Sequence, residues 1–299
     1  MQQAAAQRTQ GTTQHPTVEL EPSDGNADIS RGSIYFIGTA TVLIRYAGFT
    51  ILTDPNFLHR GEHAYLGYGL RSQRITDPAI PLQALPPFDC VLLSHLHEDH
   101  FDRRVEAGLE KRTRIVTTPQ AATSLQQKGF VAPTGLSTWD SVSFSRSGIR
   151  LRITSMPGRH GPPLLSWLMP SVMGSMVEFL QQEQVLLRIY ITGDTLVYDG
   201  LREIARRYRY LDQAILHLGG TRILGVLLTM DAAQGVEMLR LIEPKIAIPI
   251  HYNDYTVFRS PLSEFQQQVR EQGWERTVQY LQQGETYTFE VPVSSARML

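Results

Sequence analysis

The chain has a single cysteine among its 299 residues and no excess of charge of either sign. One cysteine excludes an intrachain disulfide framework, and Cys90 lies in the apolar run 88–93, where we expect a buried, unreactive thiol. The formal net charge is −1 and only 19% of the residues are charged, whereas nucleic-acid binders usually carry a basic excess or stripe. We therefore expect no nucleic-acid partner.

Long uninterrupted apolar segments are also missing. The most apolar stretch, 162–180, contains three prolines, a glycine and a glutamate. It is too short and too interrupted for a membrane span, and it is typical of a hydrophobic loop that leads into a strand. The N-terminus does not show a charged segment followed by an apolar one, as a secretory signal would. We therefore expect a cytoplasmic protein without a transmembrane segment.

The composition of the first 29 residues differs from that of the rest. Residues 1–29 are rich in Gln, Ala, Thr and Ser, which predicts a flexible leader rather than a core segment. Beyond residue 30 we find neither an internal repeat nor a Pro/Ser-rich linker, and 42% of the whole chain is hydrophobic, enough for a sizeable core. We therefore predict one domain over residues 30–299.

Short strands open this domain, and strands then alternate with helices. Segments rich in Ile, Val, Tyr and Phe at 33–37, 41–46 and 49–53 are separated by glycines, which is typical of antiparallel strands. The run 88–94 is nearly all apolar, as in a strand covered on both faces. Further strands are predicted at 114–117, 149–155, 184–192, 212–218, 245–250 and 285–291, and helices at 119–127, 198–208, 231–241 and 261–272. Asp231 is a plausible N-cap of its helix, and this order of elements favours an α/β sandwich with helices on the outer faces.

The segment SHLHEDHFD at 94–102 follows directly on a predicted buried strand. His95 and His97 are two residues apart, so in an extended chain their side chains point the same way. Asp99 and His100 come next, where we expect the chain to turn. Three of the nine histidines in six positions favour metal chelation over a polar loop with chance histidines. Imidazole with carboxylate suits zinc, and also manganese or iron.

Three further candidate ligands also stand at the ends of predicted strands, namely His160, Asp194 and His251. In α/β folds, sites collect where strands finish, so these side chains are expected to join the histidine cluster. Five histidines and two aspartates would fill two four-coordinate sites and leave room for water.

As a set, these motifs resemble those of the metallo-β-lactamase superfamily. HLHEDH at 95–100 matches the HxHxDH signature, and His160, Asp194 in Gly-Asp-Thr, and His251 match the remaining metal motifs in the right order. The resemblance covers about residues 32–257.

The upstream segments GTAT at 38–41 and LTDP at 52–55 are similar to the start of one branch of that superfamily. The branch contains the ascorbate-phosphate lactonase-like proteins and the N-acyl-phosphatidylethanolamine phospholipase D-like proteins. Taken together, all of these motifs are specific for the superfamily, but they say little about the substrate.

The resemblance implies an αββα four-layer sandwich and a hydrolase with two divalent cations, with zinc favoured over manganese and iron. It assigns His95, His97 and His160 to the first metal, Asp99, His100 and His251 to the second, and Asp194 as a bridge. A hydroxide shared by the two ions would cleave an ester, lactone or phosphodiester bond, because metal binding lowers the pKa of water from about 15.7 to about 7. Asp194 would orient this nucleophile, and Asp99 could accept a proton besides acting as a ligand.

The roles of four other polar residues stay open at this point. Asp54 is the best candidate for a group that fixes a ligand imidazole, with a turn before Pro55 as the alternative. Asp102 either supports a ligand or stabilises a helix start. His217 and Tyr252 either contact the site or belong to the core.

We expect a small-molecule or lipid-like substrate. The apolar stretch 162–180 could form an exposed lip that admits acyl chains, although core packing or a contact between identical subunits is the preferred interpretation. A homo-oligomer is therefore compatible with the sequence.

Three other functions compete with hydrolysis of a small molecule. A non-haem di-iron redox protein on the same fold usually has glutamate where this chain has His97, and it needs a flavin domain for which the chain has no room. A nuclease of this superfamily usually carries a clamp domain and a more basic surface. A non-catalytic metal-binding module is disfavoured because degenerate members typically lose ligands, whereas the set here is complete.

Overall fold

The structure, a computed structural model, describes residues 15–22, 27–163 and 169–292. Within these residues five α-helices accompany two large β-sheets. The strands are β1 (Val18–Glu19), β2 (Arg31–Gly38), β3 (Thr41–Tyr46), β4 (Phe49–Thr53), β5 (His63–Tyr65), β6 (Arg71–Gln73), β7 (Cys90–Leu92), β8 (Ile115–Thr117), β9 (Pro133–Gly135), β10 (Ser141–Arg146), β11 (Ile149–Pro157), β12 (Met173–Gln181), β13 (Gln184–Ile191), β14 (Leu211–His217), β15 (Arg222–Ile223), β16 (Val226–Leu227), β17 (Pro244–Ile250) and β18 (Thr286–Glu290). The helices are α1 (Arg103–Gly108), α2 (Pro119–Gln127), α3 (Arg202–Arg207), α4 (Ala232–Ile242) and α5 (Leu262–Glu271).

Each large sheet has seven strands and joins an antiparallel half to a parallel half. The first sheet has the order β1-β10-β11-β12-β13-β14-β17, and its strands β13, β14 and β17 are parallel. The second has the order β18-β2-β3-β4-β7-β8-β9, and its strands from β4 to β9 are parallel. The carboxyl ends of the parallel strands in each sheet therefore meet at one edge, where α/β proteins place their sites.

The two sheets pack face to face through their apolar side chains. Ile34 and Ile44 of the second sheet belong to the same buried cluster as Ile189 of the first. The Tyr46 ring meets the Phe179 ring edge-on across this interface, with centroids 5.0 Å apart. Alternating apolar positions on strands from both sheets thus fill the central layer of the core.

Helices cover the outer face of each sheet. On the first sheet, Val236 of α4 and Phe265 of α5 pack in one cluster with Leu216 of β14. On the second sheet, Val105 of α1 and Leu125 of α2 lie in a cluster with strand residues of β7 and β8. The arrangement is the αββα four-layer sandwich expected from the sequence, which is confirmed.

Several local predictions are also confirmed. Helix α2 spans the predicted residues, with a proline in its first turn and the Thr118 side chain accepting a hydrogen bond from Ala121 N. Asp231 caps α4 by accepting from Gln234 N at 3.2 Å. Cys90 is fully buried, and burial together with the charge of Asp89 raises the pKa of its thiol to about 12, as expected for an unreactive thiol.

Several predicted elements are shorter in the structure, and two of them differ most. The strand predicted over 88–94 is confined to Cys90–Leu92, because Ser94 N donates to the side chain of Asp54 at 2.7 Å instead of to a neighbouring strand. The helix predicted over 198–208 consists of a 3₁₀ turn at Asp199–Leu201 followed by α3.

Part of the predicted leader lies along the edge of the first sheet. Val18–Glu19 pair in parallel with β10, and Leu20 N donates to Ser145 O at 2.9 Å. The domain boundary at residue 30 stays a prediction. Of the apolar stretch 162–180, residues 164–168 lie outside the described residues, and its second half forms β12, which matches the expected strand. None of the helices in the described ranges is long and apolar enough to cross a membrane.

Candidate metal centre

The predicted ligands lie just beyond the ends of strands from both sheets. In the second sheet β7 leads into the segment 95–100, and in the first sheet β11, β13 and β17 lead into the other three ligands. The structure brings these side chains into two groups, and within each group the ligand atoms lie within 4.8 Å of one another. The first group is His95, His97 and His160; the second group is Asp99, His100, Asp194 and His251.

The first group consists of imidazoles at close range. His95 Nε2 lies 3.1 Å from His97 Nδ1, and the His160 ring centroid lies 5.2 Å from that of His95 and 5.3 Å from that of His97. A tetrahedral zinc ion with ligands at about 2.0–2.1 Å sets neighbouring ligand atoms about 3.3 Å apart. The spacing of the imidazoles is therefore compatible with a shared cation.

The second group combines carboxylates and imidazoles at distances longer than ordinary hydrogen bonds. His100 Nε2 lies 3.3 Å from Asp194 Oδ2, and His251 Nε2 lies 3.6 Å from Asp99 Oδ2. Hydrogen bonds between such groups are usually about 2.7–2.9 Å long. The separations agree better with ligands around a common ion.

Several of these atoms are buried without a hydrogen-bond partner. They are Asp99 Oδ1, His100 Nε2, Asp194 Oδ1 and His251 Nε2. A buried polar atom without a partner costs free energy, and unpaired buried charges cost more. A cation between these atoms would satisfy all of them, so the donor set fits a metal site.

Backbone carbonyls fix the orientation of two of the imidazoles. His160 Nδ1 lies 3.0 Å from Leu228 O, and His251 Nδ1 lies 3.3 Å from Leu218 O. A carbonyl oxygen only accepts, so each Nδ1 carries the proton and each Nε2 keeps its lone pair. This is the usual arrangement of metal-binding histidines.

Burial and neighbouring charges set the ionisation of the centre. Burial lowers the pKa of His95 and His160, and lowers that of His97 to about 4, so all three imidazoles are neutral at neutral pH. Burial alone would raise the pKa of Asp194, but His251 and His100 outweigh it and hold that pKa well below its usual range. Burial would lower the pKa of His100 and His251, but Asp194 and Asp99 outweigh it and raise both. The second group therefore combines ionised carboxylates with imidazoles that favour the protonated form, and a divalent cation would displace those protons on binding.

Asp54 lies beneath the second group, where the sequence predicted a supporting residue. Its Oδ1 accepts from Ser94 N at 2.7 Å and from Ser94 Oγ at 3.0 Å. Its Oδ2 lies 3.6 Å from His100 Nδ1. Asp54 thus contacts the side of His100 that faces away from the other ligands.

A buried ion pair supports His251, and sequence reasoning missed it. Arg74 and Asp254 are both fully buried, with Nη2 and Oδ1 3.8 Å apart. Asp254 Oδ2 accepts from Thr39 N at 2.9 Å, and Thr39 O accepts from His251 N at 2.8 Å. The ion pair therefore holds the backbone that carries His251. No local motif could have revealed a contact between residues so far apart in the chain.

Asp102 and Tyr252 play structural roles. Asp102 caps α1 by accepting from Arg104 N at 2.7 Å and from Val105 N at 3.0 Å, which agrees with the helix-start interpretation. The Tyr252 hydroxyl donates to Leu281 O at 3.2 Å, and the residue is buried in an apolar cluster. Tyr252 therefore packs in the core.

A small cavity lies directly over the centre and is shared by both groups. It is lined by His97, His160, Asp99 and Asp194 together with Leu66, Met169, Thr221, Ile223 and Leu228. A second cavity of about 470 Å³ opens beside His97. A third cavity, of about 550 Å³, lies between α3 and α4. None of the predicted ligands lines it, so we assign it no role in the chemistry.

The four-layer fold and the histidine–aspartate centre at the strand ends define a protein of the metallo-β-lactamase type. The family model described as the beta-lactamase superfamily domain matches residues 50–252, which is more than half of the 299 residues. The chain belongs to this superfamily. The narrower branch suggested by the segments 38–41 and 52–55 stays a prediction.

Relatives of known sequence and structure agree with this assignment. The chain is 26% identical to a UPF0173 metal-dependent hydrolase of Nanoarchaeum equitans over 70% of this chain and 89% of the relative. It is 28% identical to the UPF0173 protein YddR of Bacillus subtilis over 85% and 98%, respectively. The crystal structure of an isothiocyanate hydrolase from Delia radicum gut bacteria matches 87% of this chain and 100% of that chain, with a TM-score of 0.72 and 22% identity. That likeness concerns the fold.

Proposed function

We propose that this protein is a hydrolase that uses two divalent cations, with zinc favoured over manganese and iron. The observation that carries the proposal is the convergence of five histidines and two aspartates from both sheets, several of them with buried unpaired atoms that face one another. The UPF0173 relatives that are named metal-dependent hydrolases support it.

The first group would hold one cation through His95, His97 and His160. Asp99, His100 and His251 would hold the other. Asp194 would bridge them, as the resemblance implies; it lines the cavity shared with His97 and His160 of the first group and lies 3.3 Å from His100 of the second. When bound, such a pair supplies Lewis acidity and a water whose pKa falls from about 15.7 to about 7. Asp194 would then orient the nucleophile, and Asp99, which lines the same cavity, would act chiefly as a ligand and could also accept a proton.

The cavity over the centre favours a substrate with an uncharged, apolar group next to the scissile bond. Apart from the ligands, its lining consists of Leu66, Met169, Ile223 and Leu228 with the hydroxyl residue Thr221. Exposed side chains close to this lining in sequence, Tyr68 at 71% and Leu224 at 99% exposed, extend the apolar character to the surface. Esters, lactones and lipid-like phosphodiesters fit this description.

The proposal is tested by loading purified protein with Zn, Mn or Fe and measuring metal content and turnover. The panel consists of lactones, phosphodiesters, thioesters, N-acyl phospholipids and an isothiocyanate. We expect about two ions per chain and turnover of at least one substrate class that a chelator abolishes and added metal restores. Protein that keeps no metal and hydrolyses nothing would contradict the proposal, and iron with visible absorbance and oxygen consumption would favour a redox enzyme.

A charge on the cavity wall should impair apolar substrates selectively. Ile223 lines the cavity and is half-buried, whereas the next residue, Leu224, is almost fully exposed. We expect Ile223→Asp to raise KM for the best apolar substrate about 10-fold or more, because an apolar contact is replaced by a charge that must be desolvated. Leu224→Asp, on the same hairpin, is the matched control and should change KM less than about twofold. Equal effects of both variants would show that the wall does not select the substrate.

A further inference from the structure

His217 is a buried histidine outside the predicted ligand set. It is the last residue of β14 and is 0% exposed. It lies behind the metal centre, and its ring is stacked on that of His100 with centroids 5.9 Å apart and an interplanar angle of 14°. It therefore does not face a substrate.

The contacts of His217 fix its orientation. Its Nε2 lies 3.4 Å from Asp54 Oδ2, and its Nδ1 lies 3.3 Å from Thr192 Oγ1. The contact between Nε2 and Asp54 is longer than a regular hydrogen bond, and Nε2 has no hydrogen-bond partner among the described residues. A carboxylate attracts an N–H, however, so Nε2 is placed to carry the proton while Nδ1 accepts from the Thr192 hydroxyl. The Thr192 oxygen in turn accepts from His217 N at 2.9 Å, so the ring and its backbone are held by the same threonine.

Asp54 is thereby held between two imidazoles. Its Oδ2 lies 3.4 Å from His217 Nε2 and 3.6 Å from His100 Nδ1, while its Oδ1 accepts the two hydrogen bonds from Ser94. A buried carboxylate is stable only when its oxygens have partners. Without His217, the imidazole beside Asp54 Oδ2 would be that of His100 alone.

We propose that His217 is a positioning residue for the second metal site. It holds Asp54 Oδ2 in a position that faces Nδ1 of His100. His100 then keeps its proton on Nδ1, and the lone pair of Nε2 is directed toward Asp99 and Asp194, which lie 3.9 and 3.3 Å away. The inference rests on the proposed function, since it assumes a cation at the second group.

The test is a titration of metal-free protein with Co²⁺, followed by its visible absorption. Removing an outer partner of a metal-binding histidine typically costs about 10- to 100-fold in metal affinity. In His217→Leu we expect one of the two equivalents to bind about 10- to 100-fold more weakly, with an altered spectrum, and the other to keep its affinity. His217→Gln, which restores an N–H donor, should recover most of the loss.

Gln213→Leu is the matched control. Gln213 is a buried polar residue on the same strand and the same face as His217, so a general effect of losing polarity in β14 would appear in both variants. We expect it to leave both affinities unchanged. If His217→Leu does not fold, Thr192→Val removes the hydroxyl that orients the ring and should weaken the same equivalent.

The outcomes separate this inference from the proposed function. Wild-type protein that binds two equivalents and hydrolyses substrate, together with a folded His217→Leu that binds both equally well, overturns only the positioning role. A third equivalent in the wild type that is lost in His217→Leu also overturns it, because His217 would then be a ligand. Wild-type protein that binds no metal overturns both.

Discussion

Asp194→Ala should reduce the metal content well below two ions per chain and lower hydrolysis more than about 100-fold. Asp194 lies in the second group, with Oδ2 3.3 Å from His100 Nε2 and Oδ1 3.7 Å from His251 Nδ1, and it lines the cavity shared with His97 and His160 of the first group. Losing a residue that only supports a ligand costs about 10- to 100-fold in affinity or activity, so losing the bridge itself should exceed that. The loss should affect kcat as well as metal binding, because the nucleophile also loses its orienting group.

Metal analysis after gel filtration and turnover of the best substrate measure this effect. Asp231→Ala is a suitable control, since it removes a carboxylate that caps α4 and should cost only about 1 kcal/mol of stability without loss of metal. His95→Ala should reduce metal content as Asp194→Ala does. An Asp194→Ala protein with two ions and wild-type turnover would refute the bridging role.

Asp254→Ala should lower the free energy of unfolding by about 3–5 kcal/mol. Removing one partner of a buried ion pair leaves the other charge uncompensated, which costs about that much. Arg74 and Asp254 are both 0% exposed, so water cannot replace the lost carboxylate. The backbone N–H of Thr39 would also lose its acceptor, and the strand end that carries His251 would lose its support.

Urea unfolding followed by circular dichroism measures the change. Asp199→Ala is the matched control, because it breaks an ion pair with Arg202 in which the two side chains are 96% and 70% exposed, and such pairs contribute about 0–1 kcal/mol. Asp254→Asn keeps an acceptor and should lose less than Asp254→Ala. Equal stabilities of Asp254→Ala and Asp199→Ala would show that the buried pair contributes nothing net.

The cluster of predicted ligands was accessible from the sequence because each of these residues follows a strand with a clear apolar signal. Strand ends in an α/β sheet converge at one edge, and the resemblance to the metallo-β-lactamase superfamily added the order of the motifs. Together they predicted that His160, Asp194 and His251 join the segment 95–100, and the structure brings these side chains together. Helix α2 was equally clear, since its first turn carries proline after a threonine cap. In these places local chemistry and tertiary structure agree.

Other features depend on contacts that no local pattern encodes. Strand β10 was missed although Val142 and Phe144 alternate with serines, a period-two signal that is weak in six residues. The hairpin of β5 and β6 has three residues in each strand, too few for any periodicity. The pair of Arg74 and Asp254 and the contact of His217 with Asp54 arise only when the two sheets meet.

The proposed ligands come from both sheets, with 95–100 at the end of β7 and the other three following strands of the first sheet. A pair of cations at this edge would cross-link the two sheets of the sandwich, in addition to the apolar side chains that pack between them. Folding and ion uptake would then be thermodynamically linked, and at about 100 times the dissociation constant each bound ion would add about 2.7 kcal/mol to the native state. The melting temperature would therefore increase with the free metal concentration. Activity and stability of the protein would then change in parallel.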